Sequence, residues 1–322
     1  MKKIALIFII ILLISFIIAG HLYFNPRTDV AKRTIFAFDT IINLTVSSDD
    51  GEAVLDQCEK EIYRLDSIFN AHSSQSEVSL LNDNGADTPV KVSEELYGVI
   101  ERSIEYSKET HGAFDITIKP LSDLWDVKSG LNIVPSDEKV KETLGKVSYT
   151  DIVLYPDLNV GFSSPDTKID LGGVAKGYAA DRLKEIIEMS GSQWALIDLG
   201  GNIYCVGDRE FRIGIQHPDK ERGEYFDIVN IKDKSVVTGG GYERGFEKDG
   251  KYYHHILSPF DGYPAFSGLK SVTVTGCSSE MCDAYSTAVY VYGKTLAEEL
   301  CEKNKDISFI LMDNTGKTEK IN

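Results

Sequence analysis

The 322-residue chain carries 50 acidic against 34 basic side chains, a formal net charge of −16. That balance argues against a nucleic-acid partner, because phosphate contacts need clustered Lys and Arg, and it means that an anionic ligand needs a local cation. With 42% hydrophobic and 26% charged residues the composition is that of a globular protein, long enough for a full core in one large domain or two modest ones.

Lys2-Lys3 precede an apolar run, residues 4–19, interrupted only by Ser15. As a helix it is about 24 Å long, between a signal-peptide core and a full span. Ile18-Ala19-Gly20 matches a small-x-small cleavage pattern poorly. Residues 1–20 therefore read as a signal peptide or membrane anchor, with an uncleaved anchor favoured. The basic residues ahead of the run place the rest of the chain outside the cytoplasm, at the cell membrane. Residues 21–33 read as a tether and 34–322 as the folded domain. Five cysteines without C-x-x-C spacing signal neither a disulfide framework nor a zinc site. Cys277 and Cys282 read as two separate buried thiols, or as a pair if the intervening turn allows it.

In chain order, residues 34–46 predict a strand pair around Phe38-Asp39-Thr40. Leu55, Cys58, Ile62, Leu65 and Phe69 then form a helical stripe over residues 52–70,. Residues 76–82 are a short polar-apolar segment. Ser93 caps a second amphipathic helix that carries Leu96, Ile100 and Ile104 and closes at Gly112, with His111 at its end. In residues 113–120 Phe114, Ile116 and Ile118 alternate with Asp115, Thr117 and Lys119, which predicts an edge or cleft strand; Phe114 either stacks on a ligand ring or fills core. A helix over 136–144 and three short strands follow.

The hub is Ile169-Asp-Leu-Gly-Gly-Val-Ala-Lys-Gly-Tyr-Ala-Ala-Asp181, an apolar strand that runs through an acidic residue into a glycine turn and opens a helix near Val174. Gly172 and Gly173 allow close backbone approach, and a helix start offers free N–H groups to an anion. Asp170 faces the same spot and repels a phosphate unless a cation or a ligand N–H or O–H lies between. The stretch reads either as an ordinary βα turn or as a site for a metal-bridged or polar ligand. It is no Walker loop. The pentapeptide returns at Ile197-Asp-Leu-Gly-Gly201, read as a neighbouring strand whose glycine turn lies beside the same cleft.

Strands follow at 203–206, 211–215, 226–231 and 235–238, and Thr238-Gly-Gly-Gly-Tyr-Glu-Arg244 is a glycine junction that wraps a ligand or makes a wide bulge. His254 and His255 point to opposite faces if their segment is a strand, so they do not share a metal; His255 reads as a general base or as a core histidine. Ser278 and Ser279 cap a helix with an inward stripe of Met281, Ala284, Tyr285, Ala288, Val289 and Tyr292. Asp283 and Thr287 lie one turn apart on another face. They read either as oxygen ligands for a hard cation such as Mg²⁺ or as an acidic residue favoured near a helix start. A helix over 296–304 and a strand over 307–312 close the chain.

Phe38-Asp39-Thr40, Ser76-Glu-Val-Ser-Leu-Leu-Asn82, Gly112-Ala-Phe-Asp-Ile-Thr117 with Leu121 and Trp125, Asp170-Leu-Gly-Gly-Val-Ala-Lys-Gly177, Gly200-Gly-Asn-Ile203, His255-Ile-Leu with Gly262-Tyr-Pro264, and Asp283-Ala-Tyr-Ser-Thr-Ala288 occur in this order. The ordered set resembles the ApbE family of FAD:protein FMN transferases over nearly all of the chain after the anchor. The resemblance implies an exported, often membrane-tethered, Mg²⁺-dependent enzyme. Such an enzyme splits FAD, links FMN by its phosphate to a Thr or Ser of an acceptor flavoprotein, and releases AMP. The implied fold is α+β, a T-fold-related, β-rich core with flanking helices.

On these positions, Phe38, His72, Ala113, Phe114, Asp115, Asp170, Lys176, His255 and Ile256 would contact FAD. The main-chain carbonyl of Gly173 with the side chains of Asp283 and Thr287 would hold the metal. His255 and Asp283 are the catalytic candidates, His255 as the base that takes the proton from the incoming hydroxyl. Phe38 stands where the family often has Met and His72 where it often has Tyr. Ser258-Pro-Phe-Asp-Gly262 replaces the usual Asp-Pro-Arg-Thr-Gly, and Gly241 replaces a polar residue. Two alternatives are a hydrolase that gives FMN and AMP with water as nucleophile, and an exported FAD-binding protein without turnover.

Overall fold

Strand β1 (Asp29–Ala37) turns back onto β2 (Thr40–Ser48) through Phe38-Asp39, the hairpin that residues 34–46 predict. Both turn residues have positive φ, 51° and 57°, the handedness that matches the twist of the flanking strands. The computed structural model describes residues 29–322. The expected anchor and residues 21–28 of the expected tether lie outside the described residues. Residues 29–33, expected as tether, are strand instead. Ala31, Arg33, Ile35 and Ala37 alternate inward, and Arg33 is held by Glu52, Asp56 and Glu59 of the next helix.

That helix, α1 (Gly51–Phe69), buries the whole predicted stripe of Leu55, Cys58, Ile62, Leu65 and Phe69. Ser76 and Ser93 accept from the N–H groups of Ser79 and Leu96 and so start α2 (Glu77–Asn84) and α3 (Glu94–Glu109),. Residues 113–120 are not a strand. Asp115 accepts from the Thr117 N–H and Oγ and caps a 3₁₀ turn, Ile116–Ile118, which runs into α4 (Lys119–Trp125) with Pro120 in its first turn,. Helix α5 (Asp137–Leu144) starts at Ser136 as expected. Two strands, not three, lie before the hub: β4 (Ile152–Tyr155) and β5 (Asn159–Phe162), in a small sheet with β3 (Val90–Lys91).

Beyond the hub come α6 (Ala175–Met189), β6 (Trp194–Leu199), β7 (Asn202–Gly207), β8 (Phe211–Gln216), β9 (Tyr225–Ile231) and β10 (Lys234–Gly239). The short pair β11 (Gly245–Lys248) and β12 (Lys251–His254) precedes β13 (Leu269–Gly276). Helices α7 (Ser279–Tyr292) and α8 (Lys294–Lys303) and strands β14 (Ser308–Asp313) and β15 (Thr318–Ile321) complete the α+β fold. Eight strands form one antiparallel sheet in the order β1-β2-β6-β7-β10-β13-β14-β15. Alternation puts Ile42, Leu44, Val46, Ile197, Leu199, Val237, Val272 and Val274 in the main core, which also takes the buried stripes of α1, α6 and α7,. Cys205 and Val236 join a second core with Phe211, Ile213 and Ile231 of the β8–β9 hairpin.

All five cysteines are free; Cys277 is exposed where burial was expected, and the other four are buried. Tyr292, expected to face inward, is 42% exposed at the last residue of α7, while Ala284, Tyr285, Ala288 and Val289 are buried. Among the described residues no helix is long and apolar enough to cross a membrane.

Candidate functional site

Ile169 and Asp170, expected as a strand end, belong to no strand. Asn82 of α2 takes over the ladder's work, its side chain accepting from the Ile169 N–H (2.7 Å) and donating to the Ile169 carbonyl (2.9 Å), while the Asp170 N–H donates to the Ile116 carbonyl (2.8 Å). Backbone groups at such a spot must be paired by something, and here one amide does it. Asp170 Oδ1 accepts from the Gly172 N–H at 2.8 Å, which shapes the Gly-Gly bend,.

Helix α6 has no side-chain cap of its own at its start, so its first N–H groups need partners from elsewhere. The Gly177 N–H donates to Asp283 Oδ2 at 3.1 Å. Asp181, one turn further along α6, accepts from the Ser279 N–H (2.8 Å), the Glu280 N–H (3.0 Å) and Ser278 Oγ (3.1 Å) at the start of α7. Each helix thus caps the other. Gly177 makes the approach possible, since a Cβ there would lie 2.3 Å from the Ser279 carbonyl oxygen and 2.6 Å from Glu280 Cα. Glu280, buried beside Asp181 and Asp283, is pushed up to about 7 by burial even though Arg102 Nε donates to both its oxygens.

This junction carries Asp283, 5% exposed, and Thr287 one turn on, toward the Gly-Gly bend. A Cβ on Gly173 would lie 3.1 Å from the Phe114 ring and 3.6 Å from Thr287 Oγ1, so the glycine main chain threads between the two. Lys176 Nζ donates to the Gly172 carbonyl at 3.0 Å and lies 3.6 Å from Asp283 Oδ2. The donors in reach are a carboxylate, a hydroxyl and a peptide carbonyl, a set that fits a hard cation with few protein ligands. Among the described residues no three His, Cys, Asp or Glu side chains cluster for a metal.

Around the bend opens a cleft of about 1060 Å³, at the large end of the usual range for small-molecule sites. All twelve residues singled out in the sequence line it: Phe38, His72, Ala113, Phe114, Asp115, Asp170, Gly173, Lys176, His255, Ile256, Asp283 and Thr287. Gly200 and Gly201 line it as well, so the repeated pentapeptide brings two glycine turns to one cleft although only its second copy is a strand. Phe114 is core and cleft wall at once, buried and edge-on to Tyr106. Asp115 is buried and committed to Thr117 and to the Tyr149 N–H (2.9 Å). Burial raises its carboxyl above the usual range.

Strand β12 ends at His254, so His255 lies just outside it and the alternation expected of a strand does not apply to the pair. His254 is buried with Nε2 on the Ala265 carbonyl (3.1 Å), and His255 lines the cleft. His255 Nδ1–H donates to the Arg244 carbonyl at 3.2 Å, which leaves Nε2 as the unprotonated nitrogen of the neutral ring,. Burial pushes this imidazole down to about 4. The Arg244 side chain in turn donates to Asp39 Oδ2 (3.0 Å) and to the Asp39 carbonyl (2.9 Å). One residue therefore ties the histidine to the hairpin that carries Phe38. Arg244 and Asp181 carry no sign in the sequence that they support the site. Their contacts join positions 205 and about 98 residues apart, and no local pattern marks such pairs.

The departing loop is held without the usual Asp and Arg. Trp125 Nε1 donates to the Gly262 carbonyl (2.8 Å), Tyr263 OH donates to Asp137 (2.6 Å), and the Ser258 N–H donates to the Tyr263 carbonyl (2.8 Å). The glycine junction closes as a 3₁₀ turn, Gly241–Glu243, rather than a wide bulge.

Fold and cleft define an α+β protein with one large site in which a glycine bend, Lys176 and hard oxygen donors come together. Comparison with known proteins narrows this. The ApbE family model matches residues 38–311, and the chain belongs to the ApbE family. It is similar to the FAD:protein FMN transferase of Treponema pallidum (strain Nichols), 29% identical over 291 residues that cover 84% of this chain and 80% of the relative. It is 31% identical to the FAD:protein FMN transferase of Klebsiella pneumoniae (strain 342), with 81% and 82% covered. The crystal structure of the ApbE protein from Thermotoga maritima superposes with a TM-score of 0.84 at 30% identity, over 91% of this chain and 97% of that one.

Proposed function

We propose that the chain is a Mg²⁺-dependent FAD:protein FMN transferase, held at the cell membrane by residues 1–20 with its catalytic domain outside the cytoplasm. It links FMN by a phosphoester bond to a Thr or Ser of an exported or membrane flavoprotein and releases AMP. The observation that carries this reading is the convergence of the Gly172-Gly173 bend, Asp283, Thr287 and a neutral His255 on one cleft, in a chain related to FAD:protein FMN transferases.

The cleft is lined by Asp39, Asp66, Asp115, Asp123, Asp126, Asp170, Glu243 and Asp283 against Lys176, Arg222 and Arg244. A diphosphate entering so acidic a site needs added positive charge. Asp283, Thr287 and the Gly173 main chain would hold Mg²⁺, which when bound supplies Lewis-acid charge to the diphosphate. The residues of the chain do the rest. The glycine bend and the start of α6 let the diphosphate approach the backbone. Phe38 and Phe114 wall the ring-binding space.

His255 Nε2 takes the proton of the acceptor hydroxyl as its oxygen forms a bond to the FMN phosphorus. The bond from that phosphorus to the bridging oxygen breaks, and the oxygen leaves on AMP. The test is to incubate the purified protein with FAD and Mg²⁺, with and without an acceptor flavoprotein. AMP formed in step with modified acceptor supports transfer. Rapid free FMN without acceptor makes the chain a hydrolase, and FAD recovered intact makes it a binding protein.

A further inference from the structure

Lys176 has a second role that the cleft chemistry leaves open. Its ammonium donates to the Gly172 carbonyl at 3.0 Å and lies 3.6 Å from Asp283 Oδ2, the oxygen that also accepts the Gly177 N–H at 3.1 Å. Asp283 is 5% exposed, so its charge is poorly solvated and needs a counterion. The lysine bridges the glycine bend and α7, the two elements that offer the hard oxygen donors. An ammonium and a divalent ion on one carboxylate oxygen repel each other strongly in a partly buried site.

We propose that Lys176 is a placeholder cation. With no dinucleotide bound it neutralises Asp283, and it must leave that oxygen before the carboxylate can serve a divalent ion. The diphosphate of the dinucleotide is the anion that draws the ammonium away, so this inference rests on the reading of the cleft as a FAD site. Metal and dinucleotide then bind with positive coupling, and linkage makes the coupling reciprocal. A metal ion alone meets an occupied carboxylate, which keeps the site from filling unproductively.

The test uses the full chain and Mn²⁺ as the spectroscopic probe, titrated by electron paramagnetic resonance without nucleotide. Lys176→Met keeps the aliphatic stem and removes the charge; it is expected to bind Mn²⁺ at least about tenfold tighter than the wild type. Lys176→Arg keeps a cation at the carboxylate and is expected to bind it as weakly as the wild type. Arg222→Gln, which removes a positive charge elsewhere on the same cleft, is expected to shift the affinity less than about threefold. Adding ADP as a diphosphate probe is expected to tighten Mn²⁺ binding more in the wild type than in Lys176→Met. Equal or weaker Mn²⁺ binding by Lys176→Met overturns the proposal, and so does an equal gain in Arg222→Gln. Flavin-fluorescence titration of the wild type with FAD separates the two levels. If FAD does not bind, the functional reading fails; if FAD binds while the Mn²⁺ affinities do not differ, only the placeholder fails.

Discussion

Replacing Gly177 with alanine tests the helix junction on which the site stands. The new methyl carbon would sit 2.3 Å from the Ser279 carbonyl oxygen, 2.6 Å from Glu280 Cα and 2.7 Å from the Glu280 nitrogen. All three are backbone atoms, so no side chain can swing aside. To reach ordinary contact α6 and α7 must part by roughly 1 Å in an interior packed as densely as a crystal. Alanine gains at most about 1 kcal/mol in helix propensity. Against that stand about 1–3 kcal/mol of overpacking and about 1.5–3 kcal/mol for weakening the charged hydrogen bond from the Gly177 N–H to Asp283. The net expectation is a loss of about 1.5–5 kcal/mol, or a melting temperature about 3–10 °C lower for a domain of this size. Because the same parting carries Asp283 away from the glycine bend, AMP release in a single turnover is expected to fall about 10²-fold. Scanning calorimetry and a quenched single-turnover assay read both. A melting temperature equal to or above the wild type would refute the reasoning, since it would mean that the two helices have slack where none is described.

Asp181→Ala removes the acceptor of three hydrogen bonds at the start of α7 and is expected to cost about 2–3 kcal/mol in urea unfolding, with a larger loss of metal affinity than of FAD affinity. His255, held at about 4 from an ordinary 6.5, stays neutral from pH 5 to 8, so the transfer rate is expected to show no inflection near 6.5 attributable to it. Its lowered value also has a sign for stability. The unfolded ring takes up a proton as pH falls through 6.5 while the folded ring does not, so stability drops from about pH 6.5 toward about 4,. His255→Gln is expected to flatten that part of the urea-midpoint profile and to slow transfer about 10²–10⁴-fold; an unchanged rate moves the base elsewhere.

The parts of this fold that were legible in the sequence are those built by local periodicity. The stripe of α1, the serine caps of α3 and α7, the helix at α5 and the strands β7 to β10 each lie within one element, and the structure follows them closely, whereas the helix that Ser76 starts over Glu77–Asn84 reads in the sequence only as a short polar-apolar segment. Residues 113–120 imitate a strand because Phe114, Ile116 and Ile118 alternate, while Asp115 two residues before Thr117 and Pro120 just beyond are the local signs of a capped turn. The hub has the apolar pattern of a strand but no ladder, because the Ile169 backbone bonds to Asn82, 87 residues away. Residues 29–33 read as tether since an edge strand with Asp29, Lys32 and Arg33 carries little apolar signal. The two glycine turns beside one cleft are legible because they are local motifs, the carboxylate-hydroxyl pair of Asp283 and Thr287 takes its metal reading from the family resemblance, and Asp181 and Arg244 act only through tertiary contacts.

The most direct measurement is the intact mass of an acceptor flavoprotein co-expressed with the full chain or with its Asp283→Ala variant. With the wild type the acceptor is expected to gain one FMN phosphoester on a Thr or Ser, and with Asp283→Ala to keep its unmodified mass while the variant remains folded. An acceptor equally modified by both would contradict the account.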